Sequence, residues 1–219
     1  MKKLKLYSIY TKETRALKDI FIRSIQDDWE LNIGCINEVD VDGNFGTLEF
    51  GQLMRKRIEY LTTIIKENWN DIIIWSDIDI QFFRGCSRLL MDTIDEYDLV
   101  FQSEHWPSKE INAGFIVIRC NQKTFLFFKS VLQFKLESLK YFDQSAMNQI
   151  LSKNTLNLKW DILPPQFWAM SHDTLPPKNI VLHHANCTNP IVKDGKKIGS
   201  IAQKLEQFKK VRKYVIANS

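Results

Sequence analysis

Residues 71–83 read DIIIWSDIDIQFF, and their reading decides the fold. Ile72, Ile73, Ile74 and Trp75 form an unbroken apolar run, rich in β-branched residues and free of Pro and Gly. Such a run suits a central strand buried on both faces of a parallel sheet. Asp77 and Asp79 follow directly, two residues apart. In extended backbone, residues at that spacing share a face and lie roughly 6–7 Å apart. Both carboxylates would then face one side, with Ile78 and Ile80 turned to the core. Ligands of open α/β sheets bind beyond the carboxyl ends of the strands. Two acids placed there make half of a site for a hard divalent cation.

The D-x-D spacing alone carries little weight. With 15 Asp in 219 residues, about one match is expected by chance. A second match, Asp40-Val41-Asp42, stands in a Gly-containing stretch with no strand before it and reads as a solvated turn. The apolar strand that runs into Asp77 and Asp79 separates the two cases.

Outward from that stretch, the pattern is strand, helix, strand. Lys3–Tyr10 reads as a first strand, Leu17 to Ile25 as a helix and Trp29–Glu38 as a second strand, the opening of a parallel α/β sheet. The stretch 39–47 reads as a functional loop. Phe50–Asn68 is an amphipathic helix with Met54, Ile58, Leu61 and Ile65 on one face. Leu89–Ile94 reads as a short helix, Leu99–Gln102 as a strand, and Ser103–Ile111 as a polar loop at a pocket rim. Asn112–Cys120 is a second apolar strand, and Asn121 is a good cap for the helix after it. On that helix Phe125, Phe128, Leu132, Leu136 and Leu139 form the expected buried stripe. A further helix follows Asp143, then a last short strand ending in His183-His184-Ala185-Asn186, then a terminal helix over Ile201–Val215. No repeat or linker interrupts the chain, so a single domain over 1–219 is expected.

Composition fits a globular α/β protein: 44% hydrophobic and 26% charged. No apolar stretch is long enough for a membrane span, and MKKLKLYSIY lacks the apolar core of a signal peptide. Cys35, Cys86, Cys120 and Cys187 show no C-x-x-C, so free thiols in a reducing cytoplasm are expected. Net charge is +4, unevenly spread: residues 191–219 hold eight Lys/Arg against Asp194 and Glu206. That asymmetry suggests an anionic partner, although most of these lysines read as a solvated helix face. The tail lacks the interleaved aromatics of a nucleic-acid surface.

Four stretches stand in order: WSDIDIQFF at 75–83, NAGFIVIR at 112–119, FDQSAMNQIL at 142–151 and HHAN at 183–186. Together they resemble the GT-A-fold glycosyltransferases, the nucleotide-diphospho-sugar transferases, and within them the retaining, glycogenin-like branch. The resemblance spans nearly the whole chain. It implies one Rossmann-like α/β domain with a mostly parallel sheet flanked by helices, and a metal-dependent transfer of sugar from a nucleotide-sugar donor, typically UDP-linked, to a glycan or lipid-linked acceptor. By resemblance, Asp77 and Asp79 hold Mn²⁺ or Mg²⁺ on the donor diphosphate, with His184 or His183 as a third ligand. Asn112 is similar to a donor-sugar contact. Asp143 resembles the acid beside donor sugar and β-phosphate, with Gln144 next to it in the catalytic set. Tyr10 and Thr11 resemble the base and ribose edge, and Arg57 a basic residue on the helix before the D-x-D. Many relatives carry Lys-Pro-Trp after the His; here CTNPIVKDGKK leaves Lys193, Lys196 and Lys197 as competitors for the phosphate.

The chemistry agrees with that expectation. A departing nucleoside diphosphate gains negative charge, which a divalent cation and a lysine neutralise. Bland alternatives exist for each residue: Asp143 as a helix cap, Asn112 as a turn former, the histidines as hydrogen-bonded core. Two other activities compete. An aspartyl phosphohydrolase also has D-x-D after an apolar strand, but Thr or Val normally stands where this chain has Gln81. A nucleotide-sugar or glycan-binding module would not need the acid pair. The basic terminal helix, with Lys209, Lys210, Arg212 and Lys213, is expected to contact an anionic membrane surface peripherally.

Overall fold

A computed structural model describes residues 3–37, 48–134, 142–169, 174–186 and 189–218. The stretch 39–47, Leu136, Leu139 and Cys187 lie outside them. The elements in chain order are β1 (Lys5–Tyr10), α1 (Arg15–Ser24), β2 (Glu30–Cys35), α2 (Leu48–Glu67), β3 (Ile72–Ser76), β4 (Ile80–Phe82), α3 (Ser87–Ile94), β5 (Leu99–Ser103) and β6 (Ile111–Arg119). Then come α4 (Gln122–Gln133), α5 (Phe142–Lys153), β7 (Trp160–Ile162), β8 (Phe167–Trp168), β9 (Leu182–His184), β10 (Ile191–Lys193), β11 (Lys196–Ile198) and α6 (Ser200–Ala217).

Six strands form the main sheet in the order β2-β1-β3-β6-β5-β7. β1 pairs in parallel with β2 and β3, and β5 with β7, whereas β6 runs antiparallel to both β3 and β5. The sheet is thus mostly parallel with one reversed strand at its centre. That reversal follows from the connection: β5 returns into β6 through the short stretch 104–110, too short for a crossover helix.

β3 shows why its sequence is unbroken apolar. Ile73 and Trp75 pack with Ile58, Leu61 and Ile65 of α2 and with Phe127 and Phe128 of α4. Ile74 packs on the other face with Leu17 and Phe21 of α1, Leu90 of α3 and Phe208 of α6. With helices over both faces, neither side chain direction reaches water. Burying a side chain of this size contributes about 1.5–3 kcal/mol. On α4 the buried stripe is Thr124, Phe127, Phe128 and Val131. Phe125 and Leu132 are only partly buried, so the helix is turned from the expected phase. The Asn121 side chain accepts from the Thr124 N–H at 3.0 Å and sets that start.

The main strand stops one residue before the acids. Asp77 N–H donates to the Gly114 carbonyl at 2.6 Å. The chain then turns through Ile78 and Asp79 into β4, which belongs to a second, three-stranded sheet, β4-β9-β8. The extended geometry expected across Asp77–Asp79 is therefore a turn. The change of sheet is its physical cause: β4 pairs with β9, Ile80 opposite His184. Among the described residues, no helix is long and apolar enough to cross a membrane.

Candidate active site

A cavity of about 710 Å³ opens beyond the carboxyl ends of β1 and β3. Leu17, Leu53, Met54 and Ile78 contribute apolar lining, and Tyr10 and Thr11 line the cavity as well. Arg57, Asp77, Asp79, Asn112, Asp143, Gln144 and His184 also line it, so residues from 10 to 184 meet at one place.

Asp77, Asp79 and His184 can each offer one ligand atom, and these atoms all lie within 4.8 Å of one another. His184 Nε2 is 3.3 Å from Asp79 Oδ1. Its orientation is built by a residue that sequence reasoning missed. Gln102 Nε2 donates to the Phe167 carbonyl at 3.1 Å, which turns Gln102 Oε1 toward the ring, 3.0 Å from His184 Nδ1. With the proton on Nδ1, Nε2 would offer its lone pair to a cation bound at the cluster. Two carboxylates and an imidazole so presented fit a divalent cation that accepts oxygen and nitrogen ligands. Gly114 leaves the ring its space: a methyl built there would stand 2.7 Å from His184 Nδ1. A shift of register in the β5–β6 ladder between Phe101 and Gln102 brings Asn112 and Gly114 to the cavity.

His183, one residue earlier, points the other way. It is fully buried, packed 5.2 Å from Trp168 and 5.8 Å from Phe208 between ring centroids. Neither ring nitrogen has a hydrogen-bond partner among the described residues. Burial, with His184 beside it, pushes its pKa down to about 3, so it is neutral. Neighbouring side chains of a strand point to opposite faces, and of the two histidines it is His184 that lines the cavity.

Cations from the protein already sit on the acids. Arg57, 3% exposed, donates from Nη1 to both Asp77 oxygens at 2.8 and 3.0 Å and from Nη2 to Asp143. Burial works against its charge, but Asp143 and Asp77 outweigh burial and raise its pKa. Lys204 Nζ donates to Asp79 Oδ2. Burial alone would raise the Asp79 carboxyl; Lys204 and His184 overcome it and hold it well below the usual carboxylate range. Burial raises Asp77 against the pull of Arg57, and Asp79 crowds it in the same direction. Carboxylates driven apart in this way share a site whose repulsion a divalent cation relieves.

Asp143 Oδ1 accepts the Gln144 N–H at 2.8 Å in the first turn of α5, while Oδ2 faces Arg57. Asp143 is thus an acid inside the first turn of α5 that also lines the cavity. Glu104, which sequence reasoning left within a polar loop, gathers three carboxamides. Its oxygens accept from Asn112 Nδ2 at 2.5 Å, Gln144 Nε2 at 3.0 Å and Asn186 Nδ2 at 3.3 Å.

The lysines singled out in the tail lie elsewhere. Lys193 and Lys197 are exposed on the β10–β11 hairpin and do not line the cavity; the Lys196 side chain is outside the described ones. Lys204 lines the cavity instead. Ile201, Lys204, Leu205 and Phe208 stand at helical spacing on one face of α6, and that spacing was the available signal.

Among solved structures, the fold is similar to glycosyltransferase GlyE of Streptococcus pneumoniae, with TM-score 0.62 and 12% identity, covering 98% of this chain and 64% of that one. A glycosyltransferase involved in glycosylating the major capsid of PBCV-1 matches at TM-score 0.61 and 11% identity, covering 94% of this chain and 100% of that one. Mouse xyloside xylosyltransferase 1 matches at TM-score 0.56 and 10% identity, over 87% of this chain and 100% of that one. These likenesses show the GT-A fold. An uncharacterized protein of Arabidopsis thaliana is 25% identical over 156 residues, 68% of this chain and 46% of that protein. The chain thus spans about half the length of that curated relative. The sequence profile of the nucleotide-diphospho-sugar transferases matches residues 15–198, ending before Lys204. With that match over most of its length, the chain belongs to the nucleotide-diphospho-sugar transferase family.

Proposed function

We propose that this chain, a single domain over 1–219, transfers a sugar from a nucleotide-diphospho-sugar, a UDP-sugar by preference, to a carbohydrate or lipid-linked acceptor with retention. The observation that carries the reading is the Asp77–Asp79–His184 cluster in a cavity with apolar lining. Asp77, Asp79 and His184 would hold Mn²⁺ or Mg²⁺. That cation, when bound, supplies Lewis-acid neutralisation of the donor diphosphate.

The chain's own residues divide the remaining work. Tyr10, Thr11 and the apolar lining take the nucleoside. Lys204 meets the charge that grows on the departing diphosphate. Asn112 and Gln144, held by Glu104, bind sugar hydroxyls. Asp143, fixed by Arg57, lies where the sugar ends, as nucleophile or as the group that positions it. The distal half of α6 carries Lys209, Arg212 and Lys213 beside Ile216 along one groove, which supports peripheral contact with anionic lipid.

A thermal-shift panel of nucleotide sugars, with and without Mn²⁺, tests the reading. A UDP-sugar that stabilises the chain only with metal, followed by transfer with a retained anomer, is expected. Phosphate release from a simple phosphomonoester would instead identify a phosphohydrolase, and binding without turnover a recognition module.

A further inference from the structure

Each carboxylate of the cluster carries a cation of the protein, and the two cations differ in kind. Arg57 is forked between Asp77 and Asp143, its side chain 4% exposed. Moving it would strip two buried acids at once. Lys204 presents one ammonium on a flexible stem, its side chain 16% exposed, at the wall of the open cavity. Its helix is anchored independently of that contact. Ser200 and Phe208 are buried, and Gln203 Nε2 donates to the Asn189 carbonyl at 2.6 Å. The lysine side chain can therefore move while the α6 backbone stays.

A divalent cation at this cluster needs an Asp79 oxygen and meets the ammonium as a like charge. We propose that Lys204 is an exchangeable counter-cation: it holds Asp79 before the donor arrives, yields it to the divalent cation, and turns its ammonium to the donor diphosphate. The inference rests on the donor reading above. It makes the metal compete with the protein's own charge when alone, and it couples metal to diphosphate, because the nucleotide offers the displaced ammonium a partner. Such coupling is reciprocal between the two ligands.

The test is calorimetric titration of the full chain with Mn²⁺, with and without UDP, on the parent, Lys204→Met and Lys204→Arg. With its competitor gone, Lys204→Met should bind Mn²⁺ alone about tenfold tighter, the intrinsic affinity no longer divided by the fraction of competent sites. UDP should then tighten Mn²⁺ less than in the parent. Lys204→Arg keeps the charge in a fork that releases a carboxylate less readily, so Mn²⁺ alone should bind more weakly. Equal or weaker Mn²⁺ binding by a folded Lys204→Met overturns the exchange, and if that variant does not fold, unchanged binding by Lys204→Arg does so. A parent that binds no Mn²⁺, with or without UDP, overturns the donor reading and the exchange together. A parent that binds both ligands beside an unaltered Lys204→Met overturns the exchange alone.

Discussion

Arg57 Nη1 lies 2.8 Å from one carboxylate oxygen of Asp77 and 3.0 Å from the other, and donates to both. The same guanidinium reaches Asp143 through Nη2, so one buried cation ties a cluster acid to the acid of α5. Breaking a buried pair costs about 3–5 kcal/mol, because the partner charge is left uncompensated. Arg57→Ala should lower unfolding stability by that order, and urea denaturation measures it. A loss under about 1 kcal/mol would show that water replaces the guanidinium. Arg57→Lys should recover part of the stability, since an ammonium pairs with one acid but lacks the fork for two.

Gly114→Ala should uncouple metal binding from folding. The added methyl stands 2.7 Å from His184 Nδ1 and 2.9 Å from Asn112 Oδ1, so the imidazole must move out of the cluster. Disturbing the groups that orient a ligand typically costs 10–100-fold in metal affinity, and a loss of Mn²⁺ affinity of at least about that size is expected. Mn²⁺ titration beside circular dichroism decides it. Parental Mn²⁺ affinity in a folded variant would remove His184 from the ligand set.

Glu104→Gln should alter sugar recognition more than turnover. Glu104 accepts from Asn112, Gln144 and Asn186, and a hydrogen bond to a charged group contributes about 1.5–3 kcal/mol. Replacing the carboxylate by an amide turns one acceptor oxygen into a donor that faces donors. We expect KM for donor or acceptor to rise roughly tenfold, the size of one such bond, with kcat less affected. A fall in kcat at constant KM would move Glu104 into the chemical step.

Cys86 and Cys120 should stay silent toward iodoacetamide at pH 8 while exposed Cys35 reacts. Burial, assisted by Asp71, pushes the Cys120 thiol from 9.0 up to about 12, and burial with Asp27 pushes Cys86 up as well. The folded state then holds protons that the unfolded chain gives up. Their stabilising contribution is complete below pH 9 and is lost as pH rises toward 12. Cys120→Ala should lose less stability than the parent between those values, as read by urea midpoints. Identical pH slopes would mean that the thiol is not the group responsible.

The parts of the fold legible in the sequence are those set by local pattern. The run at 72–75 showed a strand covered on both faces, and α2 showed its buried stripe at Ile58, Leu61 and Ile65. Strand direction was not legible, because periodicity is the same read either way; β6 is reversed by the length of its connection to β5. The turn at Asp77–Asp79 depends on β4 leaving the main sheet for β9, a long-range pairing with no local signature. The same limit applied to the site. Asp77 and Asp79 announced themselves by position, whereas Gln102, Glu104 and Lys204 matter through partners distant in sequence. Lys193 and Lys197 drew attention by nearness to the histidines along the chain, but a hairpin carries them to the surface.

The order in which the chain is made gives the distance between Asp79 and Lys204 another meaning. Every strand of the main sheet has been synthesised by Ile162, while His184 and Lys204 come afterwards. A polypeptide halted between these points owns the whole sheet and both aspartates, yet lacks the imidazole and ammonium that complete their surroundings. Domains assemble as they leave the ribosome, and unfinished ones expose groups that the missing part would cover. Here the exposed groups include the acids as well as the apolar sheet face that Phe167, Leu182 and Phe208 cover, so an interrupted product is left charged at its mouth. The surroundings of the two aspartates are therefore finished only when translation has passed residue 204.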